Sequence, residues 1–291
     1  MRAKALLSHI HTTIAPYVPT EEADSIAFWL LEELKDLTRT ALVIDAAVDW
    51  SETEEDRLRQ IAGRLAQQEP LQHILGYGVF YGRNFKVSPA VLIPRPETEE
   101  LVYWALSLHK KGDRIIDIGT GTGCIPITLA AEGDFGAIYG LDISPEALDM
   151  AQDNARSQAV QVNWITLDIL NHDLPLQDLD MVISNPPYIR DLEKKDMQAN
   201  VLDHEPSLAL FVPDSDPLLF YRRIANAAWP ALKAGGFLLF EINEAFGKEM
   251  IELVEGMGYQ AIELKKDMQG KDRMLKGQKP LQSTRGLPPA H

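Results

Sequence analysis

At 291 residues, 45% of them hydrophobic, the chain is long enough for two unequal domains, each with its own core. A formal charge of −15 disfavours tight, sequence-independent binding to a phosphate backbone, which needs a concentrated basic surface; a protein or small-molecule substrate fits better. The single cysteine, Cys124, rules out an internal disulfide, and the seven histidines show no ligand spacing that would call for a metal. No uninterrupted apolar run approaches a membrane span, and Met1-Arg2-Ala3-Lys4 leads into a mixed amphipathic stretch, so the cytoplasm is the expected location.

From Ala3 to about Gln68 apolar residues recur at helical spacing, as in Ile26, Trp29, Leu30 and Leu34 and again in Leu58, Ile61 and Leu65. Thr20, before Glu21 and Glu22, and Ser51, before Glu52, Glu54 and Glu55, are expected N-caps with acid in the first turn. Residues 1–75 therefore read as a small all-helical domain. Between Gly76 and Pro96 the pattern changes to short alternating runs, Tyr77 to Tyr81, Phe85 to Val87 and Val91 to Ile93, with turns expected at Gly82-Arg83-Asn84 and Ser88-Pro89. This reads as a β-hairpin linker over residues 76–96, and Pro94 and Pro96 stiffen the passage into a helix near Glu97.

Over residues 97–276 strand-like and helix-like segments alternate, which predicts an α/β domain with a mainly parallel, Rossmann-like sheet. The expected strands are Arg114 to Ile118, Ala137 to Leu141, Val162 to Thr166, Leu179 to Ser184 and Phe237 to Ile242. Tyr259 to Leu264 and Arg273 to Lys276 are joined by only a short turn around Gly270, so these last two strands should run antiparallel. From Gly277 the chain is polar with Pro and Gly, and residues 277–291 read as a mobile tail.

After the first strand of this domain stands Asp117-Ile118-Gly119-Thr120-Gly121-Thr122-Gly123, which opens a helix at Cys124-Ile125-Pro126. Alternate glycines let the backbone turn tightly and approach a ligand whose polar atoms face the helix N-terminus. The Lys-Ser/Thr ending of a triphosphate loop is missing, and the third glycine of a dinucleotide fingerprint would fall on Cys124. Asp142, at the end of the second strand, is placed to accept from both hydroxyls of a ribose. Asp168, at the end of the third, can accept from an adenine amino group while Ile169 covers the ring; as a strand-end Asp it can equally be a turn former. These acids converge on the carboxyl edge of the sheet and favour an adenosine-containing ligand without a pyrophosphate.

The fourth strand ends in Asn185-Pro186-Pro187-Tyr188. An amide, a proline-stiffened backbone and an aromatic ring leaving a strand together can grip a planar NH2 group, although Asn and Pro are also common turn formers. The Asn185 oxygen and the Pro186 carbonyl are placed to accept two amide N–H bonds, Pro187 holds the loop, and Tyr188 packs against the amide face or serves simply as core. No general base is evident. Arg95, Glu97 and Glu99 either shape the pocket and contact a substrate protein, or form a capped helix start with a surface ion pair.

This order of glycine loop, Asp142 and Asn-Pro-Pro-Tyr resembles the class I S-adenosylmethionine-dependent methyltransferases that alkylate planar nitrogens. Pro70-Leu71-Gln72-His73-Ile74-Leu75-Gly76, Leu92-Ile93-Pro94-Arg95-Pro96-Glu97-Thr98-Glu99, Glu205-Pro206-Ser207-Leu208-Ala209-Leu210 and Gly270-Lys271-Asp272-Arg273 narrow the likeness to the release-factor glutamine methyltransferase family, over nearly the whole chain up to Lys276. The resemblance implies methyl transfer from S-adenosyl-L-methionine, leaving S-adenosyl-L-homocysteine, to the glutamine N5 of the Gly-Gly-Gln motif in class-1 peptide chain release factors. It implies a monomer whose helical domain recognises the substrate, with no stable nucleic-acid binding. It also implies cofactor contacts from Asp117, Gly119, Thr120, Gly121, Thr122, Gly123, Asp142, Asp168, Ile169 and Asn185. The sequence departs from the family pattern in Phe211 to Pro217, where a glycine-rich stretch is usual, and in Glu241-Ile242-Asn243-Glu244, which lacks the usual Gly and Gln. A methyltransferase acting on the amino group of a nucleic-acid base, and a non-catalytic binding module, remain the alternatives.

Overall fold

The computed structural model describes residues 1–197 and 199–281, which fall into two compact units. The first contains α1 (Ala3–Ile14), α2 (Ala23–Lys35), α3 (Arg39–Val43), α4 (Glu52–Leu65) and α5 (Leu71–Leu75). Leu6, Ile10 and Ile14 of α1, Leu30 and Leu31 of α2, and Leu58 and Ile61 of α4 are fully or almost fully buried in one cluster. Each such side chain contributes roughly 1.5–3 kcal/mol when taken out of water. Ser51 forms the expected capping box, its hydroxyl accepting from the Glu54 N–H while the Glu54 carboxylate accepts from the Ser51 N–H. Thr20 does not cap α2. The Pro19 carbonyl takes the N–H groups of Glu22 and Ala23 in a turn, and the helix starts after Glu22 without a side-chain cap.

The second unit begins with the hairpin of β1 (Tyr77–Phe80) and β2 (Arg83–Lys86). Its turn is Tyr81-Gly82, both at positive φ, so Arg83 and Asn84 belong to a strand and not to the turn the sequence suggested. Val91 to Ile93 form no strand; Val91 and Ile93 are instead buried in an irregular run before α6 (Pro96–Leu108), whose first position is Pro96.

The chain then alternates through β3 (Arg114–Ile118), α7 (Cys124–Glu132), β4 (Ala137–Asp142), α8 (Pro145–Ser157), β5 (Asn163–Thr166) and β6 (Leu179–Ser184). After β7 (Ile189–Arg190) it passes through α9 (Ala199–His204), which clusters with the first unit, and returns in α10 (Ser207–Leu210) and β8 (Phe211–Val212). It finishes with α11 (Leu219–Ala231), β9 (Leu232–Glu241), α12 (Gly247–Gly256), β10 (Gln260–Lys266) and β11 (Asp272–Gln278).

Seven strands form one sheet in the order β10-β11-β9-β6-β3-β4-β5. β5, β4, β3, β6 and β9 are parallel, while β11 is antiparallel to both β9 and β10, as the short Gly270 turn requires. The parallel strands are apolar because helices cover both faces: Ile116, Val182, Leu238 and Phe240 pack in one cluster, and Ile115, Met181, Ile183 and Leu239 in another. β9 starts earlier than expected, at Leu232 beside Leu179, with a register shift before Phe237; the glycines at 235 and 236 accommodate that irregularity. Gly277 and Gln278, expected to open the tail, are the last residues of β11 and pair with Leu238 and Phe237. Residues 282–291 of that expected tail lie outside the described residues. No helix among the described residues is long and apolar enough to cross a membrane.

Candidate functional site

The strand order reverses at β3, which has β4 on one side and β6 on the other. At such a switch point the loops leaving adjacent strands diverge and open a crevice at their carboxyl ends. Ile118 pairs with Ser184 and Leu141, and the Ser184 hydroxyl donates to the Ile118 carbonyl at 2.6 Å. The glycine loop and the Asn-Pro-Pro-Tyr segment therefore leave neighbouring strands at the same level.

Gly119, Gly121 and Gly123 all have positive φ, at 75°, 52° and 77°. The loop is tied by the Gly119 and Thr120 N–H groups, which donate to the Leu141 carbonyl at 2.8 and 3.0 Å, and by the Gly123 N–H on the Thr120 carbonyl at 2.8 Å. A Cβ at Gly119 or Gly121 would meet no atom within 4 Å, whereas one at Gly123 would lie 2.9–3.0 Å from Ile127, Ala151 and Trp164. Two glycines thus border open space and the third is required by packing. Thr120 and Thr122 are buried. The fully buried Asn154 donates to the Thr122 carbonyl at 3.0 Å and exchanges hydrogen bonds with the Lys86 backbone, which fastens the loop to α8 and the hairpin.

Asp142 accepts from the Gly121 N–H at 2.9 Å and from the Ser144 N–H at 3.0 Å, one bond on each oxygen, which leaves a lone pair on each for a ligand. Burial raises its pKa in spite of these bonds. Asp117 is fully buried, and neither carboxylate oxygen has a partner among the described residues. Burial pushes it up to about 7, and the charge of Asp142 acts in the same direction. Asp168 is engaged locally, accepting from the Leu170 N–H at 2.9 Å and from Asn171 at 2.6 Å, so it shapes its own turn. Ile169 is buried against the sheet. Cys124 is buried and its thiol pushed up to about 12 by desolvation, a packing residue with no nucleophilic character.

On the other side of the switch point Asn185 donates through Nδ2 to the Thr98 hydroxyl at 3.2 Å. Thr98 donates in turn to Glu241 Oε2 at 2.7 Å, and the Tyr188 hydroxyl donates to Glu241 Oε1 at 3.2 Å. Burial raises the pKa of Glu241 and drives that of Tyr188 up, the latter further by the Glu241 charge. Pro186 is buried; Asn185, Pro187 and Tyr188 are half-buried. The Tyr188 carbonyl accepts from Asn243 Nδ2 at 3.1 Å, and the Asn243 N–H donates to Tyr221 at 3.2 Å. Glu241, and Asn243 in the departing stretch after it, therefore reach the tetrapeptide at Tyr188. The departure at 211–217 does likewise: β8 pairs with β7 directly after Tyr188, and Asp214 accepts from the Leu192 N–H at 2.9 Å.

Arg95 pairs at 2.5 Å with Glu205, whose side chain is only 1% exposed and also accepts from the Ile93 N–H at 3.3 Å. Glu99 accepts from the Tyr81 N–H at 2.7 Å. These two members of the Pro-Arg-Pro-Glu-Thr-Glu segment brace loops, while Thr98, treated in the sequence only as part of a helix start, meets Asn185. Glu241 and Thr98 both stand in segments that the sequence singled out for the family likeness, but neither was assigned a role there. The available signal was an acid ending a buried strand at the sheet's carboxyl edge.

A seven-stranded sheet with an antiparallel penultimate position, a glycine loop at the switch point and Asn-Pro-Pro-Tyr beside it define a class I methyltransferase. In accord with that class, residues 99–207 match the family described as methyltransferase small domain, and residues 5–76 match the PrmC N-terminal domain. A methyltransferase from Pyrococcus furiosus shares the fold, with a TM-score of 0.52 at 15% identity over 79% of this chain and 100% of that one. The release factor glutamine methyltransferase of Bacteroides thetaiotaomicron is 40% identical over 93% of this chain and 98% of its own length, and that of Flavobacterium psychrophilum 41% identical over 90% and 94%. The chain belongs to the release factor glutamine methyltransferase family.

Proposed function

We propose that the protein methylates the glutamine side-chain N5 in the Gly-Gly-Gln motif of class-1 peptide chain release factors, with S-adenosyl-L-methionine as donor. The observation that carries this reading is the placing of Asn185 and Gly119 on the ends of adjacent parallel strands, paired through Ile118 and Ser184. A ligand in the glycine loop and an amide held at Asn185 then share one crevice, within a chain whose relatives of that name match it over nearly their whole length.

The residues present fit the cofactor. Open space at Gly119 and Gly121 admits it, Asp142 offers free lone pairs for a ribose, and Asp117 is a partnerless buried carboxylate suited to a cationic ligand. Thr120, Thr122 and Gly123 complete the loop, and Ile169, with Asp168 in the adjoining turn, is assigned to the adenine. When bound, S-adenosylmethionine supplies a methyl group on a positively charged sulfur, which departs as a neutral thioether.

A glutamine amide is a poor nucleophile because its lone pair is delocalised, so orientation and electrostatics carry the catalysis. Asn185 Oδ1 and the Pro186 carbonyl accept its two N–H bonds, fixing the plane and stabilising positive charge as it builds on nitrogen. Pro187 keeps the loop rigid and Tyr188 excludes water from the amide face. The nitrogen sheds one proton to solvent after transfer. Both halves of the site, with the supporting Thr98, Glu241 and Asn243, come from one chain, so a monomer suffices. Substrate recognition is assigned to residues 1–75, and the cytoplasm, where release factors work, is the assigned location.

Purified protein, release factor and cofactor should yield a mass gain of one methyl group on the Gly-Gly-Gln glutamine, lost when that glutamine is replaced. If mass spectrometry finds no such gain, or the label enters ribosomal RNA or DNA instead, the substrate assignment fails.

A further inference from the structure

We infer that Thr98 is a positioning residue that fixes which way the Asn185 amide faces, with Glu241 setting the direction of the Thr98 proton. The inference rests on the proposed grip of a substrate amide by Asn185 and adds what makes that grip directional. A primary amide has two nearly isosteric ends, and only its oxygen can accept from a substrate NH2. Something must stop the side chain from turning over.

The hydrogen-bond inventory supplies the constraint. Thr98 has one hydroxyl proton, and it lies on Glu241 Oε2 at 2.7 Å. The second carboxylate oxygen accepts from Tyr188, so both oxygens of this fully buried group are taken by hydroxyl donors. Burial raises the pKa of this carboxyl, while the Thr98 hydrogen bond, the Arg273 cation and the Tyr188 hydrogen bond favour its charged form. With its proton committed, Thr98 Oγ1 can offer Asn185 only a lone pair, which accepts from Nδ2 and repels Oδ1. Turning the amide over would set two acceptors face to face in a half-buried site, an arrangement that costs enough to be rare. Oδ1 is thereby directed away from Thr98. The same carboxylate holds Tyr188 through its hydroxyl, so the two ends of the tetrapeptide share one anchor from β9.

Thr98→Val keeps the shape of the side chain and removes the acceptor. It should lower kcat about 10- to 100-fold while the cofactor Kd and the release-factor KM stay within about threefold, and Thr98→Ser should restore turnover. A purely structural role would not give that split with that rescue. The second readout is independent of substrate: in protein carrying 15N-asparagine, with the Asn185 side-chain signal assigned through Asn185→Asp, one Nδ2 proton should be protected from exchange in the wild type and in Thr98→Ser and unprotected in Thr98→Val. Wild-type turnover in Thr98→Val, or unchanged Asn185 amide signals in it, would overturn the inference. A wild-type protein that shows the protected proton but methylates no release factor would instead sink the substrate reading and leave this orientation standing.

Discussion

The two halves of the crevice are built by different means. The half proposed for the cofactor is made of backbone: three positive-φ glycines, carbonyls that take loop N–H groups, and a single aspartate bonded to the loop. The acceptor half is made of side chains, with Asn185 and Tyr188 held from below by Thr98, Glu241 and Asn243, which lie 53 to 87 residues away along the chain. A backbone site needs residues that permit a conformation, and its specification is local. A site of oriented side chains needs partners delivered by the topology, so its specification is spread across the sheet.

The sharpest way to break the comparison is to remove the acceptor half alone. Asn185→Ala deletes the amide proposed to align the substrate and stabilise its developing charge. Turnover should fall by about 10²–10³, the size found when a single preorganised polar group is lost, while cofactor affinity measured by calorimetry changes less than threefold. A comparable loss of cofactor binding would mean that the two halves are one unit; unchanged turnover would remove the amide clamp altogether.

This difference also explains what could be read from the sequence. The parallel order, the antiparallel end and the glycine loop followed from alternation, strand spacing and a local motif, because each is encoded in contiguous residues. Asp142 likewise lay where strand two ends, and Asp168, after strand three, bonds Leu170 and Asn171 in its own turn. Thr98 and Glu241 were missed because their meeting with Asn185 depends on β9 lying next to β6, with Ser184 opposite Phe240, and on α6 packing against β9, neighbours that no local pattern states. The Val91 to Ile93 run misled for a related reason: alternating burial in an irregular segment gives the same signal as a strand without supplying a partner.

Within the cofactor half the glycines should separate by mechanism. Gly123→Ala combines left-handed strain, about 1–2 kcal/mol, with overpacking against Ile127, Ala151 and Trp164, about 1–3 kcal/mol. Thermal or denaturant unfolding should therefore show a clear loss of stability. Gly121→Ala carries only the strain, since no atom lies within 4 Å of the added carbon, but it intrudes on the open space and should weaken cofactor binding more than folding. Equal destabilisation by both substitutions would contradict the division between a packing glycine and ligand-facing ones.

The smallest expected effect concerns Asp117, a fully buried carboxylate of the backbone-built half. Its pKa rises from 3.8 to about 7 on folding because burial penalises the carboxylate. The folded chain therefore holds a proton that the unfolded chain has released, and the stability this contributes is fully present below about pH 4 and is lost as pH rises through 7. Without cofactor, the wild type should lose about 1.4 kcal/mol between pH 6 and 8 from this group, and Asp117→Asn should flatten that slope. A cationic ligand reverses the preference by favouring the charged form, so cofactor binding near pH 6.5 should release protons, detected by calorimetry in buffers of different ionisation enthalpy. The same proton release and the same slope in Asp117→Asn would show that the buried carboxylate does not face the cofactor, and would leave the glycine loop and Asp142 as the whole of that half.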